Sequence, residues 1–413
     1  MKETENENRL SRRAFLKGAG VLAAGTAAMG LTACAPSKST GTSSSTSGSA
    51  SSAAKTGDTA GANPVATEEL TWLPDEPEIA DADVETTVEA DVIVVGAGVA
   101  GVGATRAAAE DGAKVICFEK ASGPQCRSGE YAVVNGDLEA RWGRDNFDTD
   151  VIVDHHMDEC SYKTKRPIMS KWAENFAPVF DWFIGAKEDL YICETTRSEV
   201  PDANKDAFLI PLLYPLPAAY DWTKEEHPVY PTTVELLPSQ APVLNANMDK
   251  AIATGNVTPY YGHFVEKFIL EDGRVTGCYA RDASTGKYVK ATAKKGLILA
   301  TGDYASNKDI LSYYAPETVA NGIKAVWINM DVEGNNTNTG DGLKLGAWVN
   351  AKIQEHHAPM IHHMGGGAGM DGEGVMGIAC FLELGEDGKR FMNEDIPGQQ
   401  LENQIEMQRD MCA

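Results

Sequence analysis

Ala90-Asp91-Val92-Ile93-Val94-Val95-Gly96-Ala97-Gly98-Val99-Ala100-Gly101 opens the most informative part of this 413-residue chain. A β-branched run of the kind a buried parallel strand needs leads straight into glycines spaced G-x-G-x-x-G. Residues 102–111 are Ala-rich and helical in composition, and Gly112 stops them. Lys114-Val115-Ile116-Cys117-Phe118 is a second apolar strand, with Glu119 at its tip, 18 residues past Gly101. Strand, turn, helix, strand and acid in that order predict a dinucleotide-binding unit.

The chemistry assigns a job to each part. Gly96 makes the tight turn, Gly98 lets a pyrophosphate approach the backbone, and Gly101 lets helix and strand pack closely. The first helical turn, Ala100 included, offers unpaired N–H groups and partial positive charge to phosphates. Glu119 can accept hydrogen bonds from ribose hydroxyls, with Lys120 beside it.

Two downstream features favour FAD over NAD. Residues 264–270, 274–280 and 288–293 read as an antiparallel meander, turning at Asp272-Gly273 and Thr285-Gly286. Gly296-Leu297-Ile298-Leu299 reads as a separate buried strand ending in Ala300-Thr301-Gly302-Asp303, which returns the chain to the dinucleotide site.

These motifs resemble the FAD-dependent oxidoreductase 2 family: the flavoproteins of the fumarate reductase and succinate dehydrogenase group, with urocanate reductases, L-aspartate oxidase and 3-ketosteroid dehydrogenases. The likeness runs from about residue 90 to 394. It implies that Ala300, Thr301 and Gly302 pack beside FAD, with Asp303 where the family has a second glycine. It implies that Asp341, within Thr339-Gly340-Asp341-Gly342, abuts the cofactor. It places Ser128 and Gly129 near the flavin, although Gln125, Cys126 and Arg127 replace the usual small residues before them.

The capping region departs further. Arg390-Phe391-Met392-Asn393-Glu394 resembles the family's RFxNE element, yet Gly398 stands where fumarate reductases carry their proton-donating arginine. No arginine lies between Arg281 and Arg390 to serve the family's relay. Either fumarate is not the substrate or another residue serves. His362 or His363 falls where the family's substrate-binding histidine would be, and these two are the catalytic candidates; the alternative is that they only anchor a loop. A dehydrogenase of ketosteroid type would need a base and an electrophile, for which Tyr131 and Tyr304 are the candidates. The pairs His155-His156, His356-His357 and His362-His363 lack an accompanying acidic ligand pattern, so no metal is expected. The family's Gly-rich return to the flavin is not found before Ala413, so the capping domain reads as truncated.

The middle and the ends complete the reading. Trp172, Phe176, Val179, Phe180 and Phe183 have helical spacing and read as core, with Pro178 placed to kink or split the helix. Residues 209–238, rich in proline and aromatics, read as a long ordered loop. Ser11-Arg12-Arg13-Ala14-Phe15-Leu16-Lys17 is a twin-arginine pattern before a weakly apolar stretch, which marks a Tat export signal. Leu31-Thr32-Ala33-Cys34 resembles a lipobox, which would make Cys34 the lipid anchor. Residues 36–63 hold no large apolar side chain and read as a flexible tether. Trp72 and Leu73 lie beyond it as anchors to the domain that follows.

Composition sets the outer bounds. With 36 Lys plus Arg against 60 Asp plus Glu, the formal charge is −24, which disfavours nucleic acid as a partner. None of the eight cysteines forms a C-x-x-C pair, so a c-type haem is not expected in this chain. The expected architecture is α/β: 1–34 a signal, 35–85 a linker, 86–355 an FAD-binding Rossmann-like domain with β-meander, and 356–413 a partial α+β capping domain. The expected activity is an exported FAD-dependent reductase. It would act on an activated C=C bond of a small organic acid or enone, with electrons from a cytochrome or quinol-linked partner. The alternatives are a ketosteroid-type dehydrogenase and a truncated, non-catalytic surface lipoprotein.

Overall fold

The computed structural model describes residues 70–211 apart from 128, 145, 161, 196 and 197; 233–316; 319; 329–355; 357; and 382, 384, 385 and 387–392. The signal and tether assignments therefore lie outside the described residues.

The dinucleotide unit forms as its sequence predicts, as β1 (Val84–Val95), α1 (Val99–Glu110) and β2 (Val115–Glu119). Side chains alternate across the sheet with period two. Val94, Val115 and Cys117 face one core; Ile93, Val95, Ile116 and Phe118 face the other. Further along come β3 (Glu130–Ala132), α2 (Asp137–Arg141), α3 (Thr149–Glu159), α4 (Arg166–Ile184), β4 (Tyr191–Ile192) and β5 (Phe208–Pro211). Then follow β6 (Thr233–Leu237), α5 (Ala241–Ala253), β7 (Val257–Tyr261), β8 (His263–Glu271), β9 (Arg274–Asp282) and β10 (Tyr288–Leu299). Helices α6 (Lys308–Tyr314) and α7 (Asp341–Trp348) complete the set used below.

The main sheet has the order β7-β2-β1-β10-β9-β8. Its first four strands run parallel, and β9 and β8 continue it antiparallel. Asp272 and Gly273 both take positive φ, as a two-residue hairpin turn requires. The expected separate strands at 288–293 and 296–299 are one strand, β10. Lys294-Lys295 looked like a break; the structure absorbs it as a one-residue bulge, where Ala90 pairs with Ala293 but Val92 pairs with Gly296. The first half of β10 thus pairs with both β9 and β1, and the second half pairs with β1. Ile298 and Leu299 are 39% and 46% exposed rather than buried, and Leu299 opens on the cavity described below.

A second sheet, β3-β6-β5-β4, corrects the reading of residues 209–238 as a loop throughout. Leu209, Ile210, Val234 and Leu236 are buried, so both ends of that stretch are strands paired antiparallel. Residues 212–232 between them, with the aromatics there, lie outside the described residues. Helix α4 starts earlier than expected, with Pro167 in its first turn, and Pro178 does not split it. Its buried residues are Ala173, Ala177, Phe180, Phe183 and Ile184, which leaves Val179 half exposed. The lower part of the expected linker is also part of the domain: Trp72 is buried against Tyr314, and β1 begins at Val84.

Arg106 ties the layer of helices together from within α1. Its Nη1 donates to Trp182 O and Asn247 Oδ1 at 3.0 and 2.7 Å, its Nε donates to Glu110, and its guanidinium lies 3.9 Å over the Trp182 ring. Asn247 in turn donates to Phe183 O and Val243 O. Replacing Arg106 with methionine leaves one buried acceptor, Asn247 Oδ1, and one part-buried acceptor, Trp182 O, without this donor. The expected loss is about 3 kcal/mol of unfolding free energy, at roughly 1–3 kcal/mol per stranded group. Urea denaturation measures it, and a loss well under about 1 kcal/mol would show that the helices are held by apolar packing alone.

Candidate functional site

Three backbone segments meet at the carboxyl ends of β1, β2 and β10. Gly96 N donates to Phe118 O at 2.8 Å, and Ala300 N donates to Val95 O at 2.9 Å. A Cβ on Gly96, whose φ is +99°, would lie 2.3 Å from Ala300 O. A Cβ on Gly101 would lie 1.9 Å from Gly96 O. Both glycines are therefore required by contact within the protein. Gly98 differs: a Cβ there would meet only Gln125 O, at 3.7 Å, and would otherwise project into open space. Gly98 is also the N-cap of α1 and gives it no side-chain cap, so the amides of the first turn stay available. The contacts at Gly96 and Gly101 fit the turn and packing roles that the spacing predicts, and Gly98 leaves open the space where a pyrophosphate is expected.

That open space is a cavity of about 810 Å³ across the strand ends. It falls within the roughly 300–1,000 Å³ of ligand and cofactor sites. Of the expected cofactor residues, Gly96, Gly98, Ala100, Glu119, Lys120, Ala300, Thr301, Gly302 and Asp341 line it. Gly101 stands just behind, holding α1 to the turn. Gly129 does not line the cavity: its amide neighbourhood belongs to β6, where a Cβ would lie 2.2 Å from Leu236 O. Ser128, His362, His363 and Gly398 lie outside the described residues.

Glu119 does more than wait for a ribose. Its Oε2 accepts from Ala97 N at 2.7 Å and its Oε1 from Ala121 N at 2.8 Å. The buried carboxylate thus clamps the glycine turn to the tip of β2. Each oxygen keeps a further lone pair for a ligand hydroxyl. Beside it, Lys120 Nζ donates to Asp341 Oδ2 at 2.7 Å and Thr339 Oγ1 at 3.1 Å. Burial alone would raise the Asp341 pKa, but Lys120 and Lys344 together hold it below the ordinary carboxylate range.

The motifs 300–303 and 339–342 lock onto each other. Gly340 N donates to Asp303 O at 3.0 Å, and a Cβ on Gly342 would lie 2.2 Å from Thr301 Oγ1. Asp303, the departure from the family pattern, caps its own turn by accepting from Ala305 N and lines the cavity. Gln125, Cys126 and Arg127 also line it, so the residues that replace the family's small ones face the site.

Sequence reasoning missed several parts of the wall, among them Pro74 and Pro77 before β1, His263 to Glu266 on β8, Asn329 and Asn338, and Trp348 at the end of α7. Only the anchoring role suggested for Trp72 hinted at the first. It also missed that Tyr304 meets His357, its hydroxyl 2.5 Å from Nδ1, while the Tyr314 ring stacks on that imidazole at 3.7 Å. Burial holds the His357 pKa below its usual value. Tyr131 is partly buried, packs against the core on Phe176, Phe180 and Phe183 and donates to Gln240, and burial pushes its pKa up. His155 and His156 lie on α3, where His156 packs edge-on to Trp172. Among the described residues no group of three His, Cys, Asp or Glu side chains could hold a metal ion.

Residues 91–411 match the family described as FAD binding domain. The chain belongs to this family of FAD-dependent oxidoreductases, and FAD is its cofactor. A protein of Shewanella frigidimarina named "Probable fumarate reductase Ifc3" is 26% identical over 159 residues, 38% of this chain and 25% of that protein. The match therefore spans about a quarter of that relative's length. Among solved structures, the 3-ketosteroid-Δ4-(5α)-dehydrogenase of Rhodococcus jostii RHA1 superposes with a TM-score of 0.57 at 19% identity. The superposition covers 81% of this chain and 67% of that one. An open-conformation flavocytochrome c3 fumarate reductase gives 0.48 at 20% identity, covering 80% and 52%.

The glycines separate binding from folding. Gly98→Ala is expected to keep the melting temperature of the FAD-free protein within about 2 °C while weakening FAD binding at least tenfold. Gly101→Ala, with its Cβ forced into Gly96 O, is expected to lower both. Calorimetric titration with FAD beside thermal melts checks this; equal loss of fold in the two variants would contradict the assignment of Gly98 to the cofactor.

Proposed function

We propose that this chain is the FAD-binding part of an exported reductase that acts on an activated C=C bond of a small organic acid or enone. The observation that carries the reading is the cavity itself. Glycine backbone, the α1 N-terminus, Glu119 and the interlocked 300–303 and 339–342 turns converge on one dinucleotide-sized space. FAD supplies two-electron chemistry there, giving hydride to an acceptor when reduced.

The protein's own residues bind and orient. The first-turn amides of α1 hold the pyrophosphate, and Glu119 keeps the turn shaped for it while accepting from the ribose. Lys120, paired with Asp341, lines the cavity beside Glu119, so this ion pair would face the ribose end of the cofactor. On this reading His362 or His363 binds the carboxylate or carbonyl of the substrate. The twin-arginine pattern and Cys34 support export in the folded, cofactor-loaded state and attachment to the membrane surface. Electrons then arrive from a cytochrome or quinol-linked donor outside this chain.

The dehydrogenase alternative loses Tyr131, which packs against the core and donates to Gln240, and keeps Tyr304, whose hydroxyl holds His357. Oxidation of a reduced dye by the purified protein, run against a panel of unsaturated acids and enones, tests the proposal. Turnover of at least one acid or enone is expected, and it should fall with FAD occupancy in Gly98→Ala. Steroid dehydrogenation in the reverse assay would replace it with the alternative. A fully flavinated protein that turns over nothing would leave a non-catalytic lipoprotein.

A further inference from the structure

The segment before β1 forms one wall of the cofactor cavity, and its attachments are few. Pro74 and Pro77 line the cavity, as do the first residues of β8 and Trp348. Among the described residues, 73–80 take no part in either sheet, and the backbone bond from Leu73 N to Leu70 O is local. Side chains of the domain hold the segment by its carbonyl groups. Trp348 Nε1 donates to Pro74 O at 2.9 Å, and Lys267 Nζ donates to Pro77 O at 2.9 Å while pairing with Glu76 at 3.3 Å. The upstream end is pinned by Trp72, 6% exposed, against the same Tyr314 ring that stacks on His357.

We propose that residues 70–77 are a strap that closes over the nucleoside end of FAD and sets how fast the cofactor leaves. The inference rests on the placement of FAD in this cavity. Glu119 marks the ribose, and the wall beyond it, on the side away from α1, is β8, Trp348 and the two prolines. A segment held by side-chain contacts and one buried ring, with no strand pairing, opens at lower cost than the sheet it covers. The strap is also where the predicted tether joins the domain. Cofactor retention and the docking of residues 70–77 are therefore one event: FAD bound favours the strap docked, and the strap docked holds FAD.

Trp72→Ala and Lys267→Met test this without touching the cavity lining. Recovery of flavin fluorescence after dilution reads release from the loaded protein. Each variant is expected to release FAD about tenfold faster than the unaltered chain. Lys287→Met removes a contact to Ala82 and Asp83, outside the cavity wall, and is expected to leave release unchanged. Hydrogen exchange on the unaltered chain guards against a misfolded variant: amides in 70–78 should gain severalfold protection when FAD binds. Release unchanged in Lys267→Met, or strap exchange indifferent to FAD, overturns the proposal. A chain that retains no FAD removes instead the cofactor placement beneath it.

Discussion

Everything at this site depends on the close approach of three stretches of backbone at the ends of β1, β2 and β10. Gly96, Gly101 and Ala300 come so near one another that a single methyl group at either glycine would overlap a carbonyl oxygen. That approach fixes where α1 begins. Because α1 begins there, its unpaired amides and the bare Gly98 face the cavity. The sheet supplies the rigidity: β1 is bonded along its length to β10, and its second half also to β2.

Around this knot, polar groups hold shape and recognise ligand at once. Glu119 is the clearest case. A carboxylate at the tip of β2 accepts two amides from the loops on either side of it, and charge-assisted bonds of this kind are worth about 1.5–3 kcal/mol each. The glycine turn is therefore already in its binding shape, which lowers the ordering cost of binding. Lys120 and Asp341 do the same across a longer stretch of chain, tying the tip of β2 to the start of α7. Arg106 plays the corresponding part away from the cavity, where α1, α4 and α5 meet.

The parts legible in the sequence were those with a local cause. G-x-G-x-x-G, the acid at Glu119 and the Asp272-Gly273 turn each follow from backbone geometry that only certain residues permit. What escaped notice depends on contacts between distant residues. Lys294-Lys295 looks like the end of a strand until pairing with β1 shows that β10 carries a bulge there. Phe208–Pro211 and Thr233–Leu237 look like the ends of a proline-rich loop because each is too short to declare itself, and they become strands by pairing with each other. Gly129 was assigned to the cofactor by resemblance, whereas its glycine is required by β6. Pro74, Pro77 and Trp348 carry no motif, and only the folded chain brings them to one wall.

If this arrangement holds one FAD, the visible spectrum of the protein reads it out. After incubation of the purified chain with excess FAD and removal of free ligand by gel filtration, absorbance near the flavin band should report about one flavin per chain. A protein that emerges colourless would contradict the account at its base.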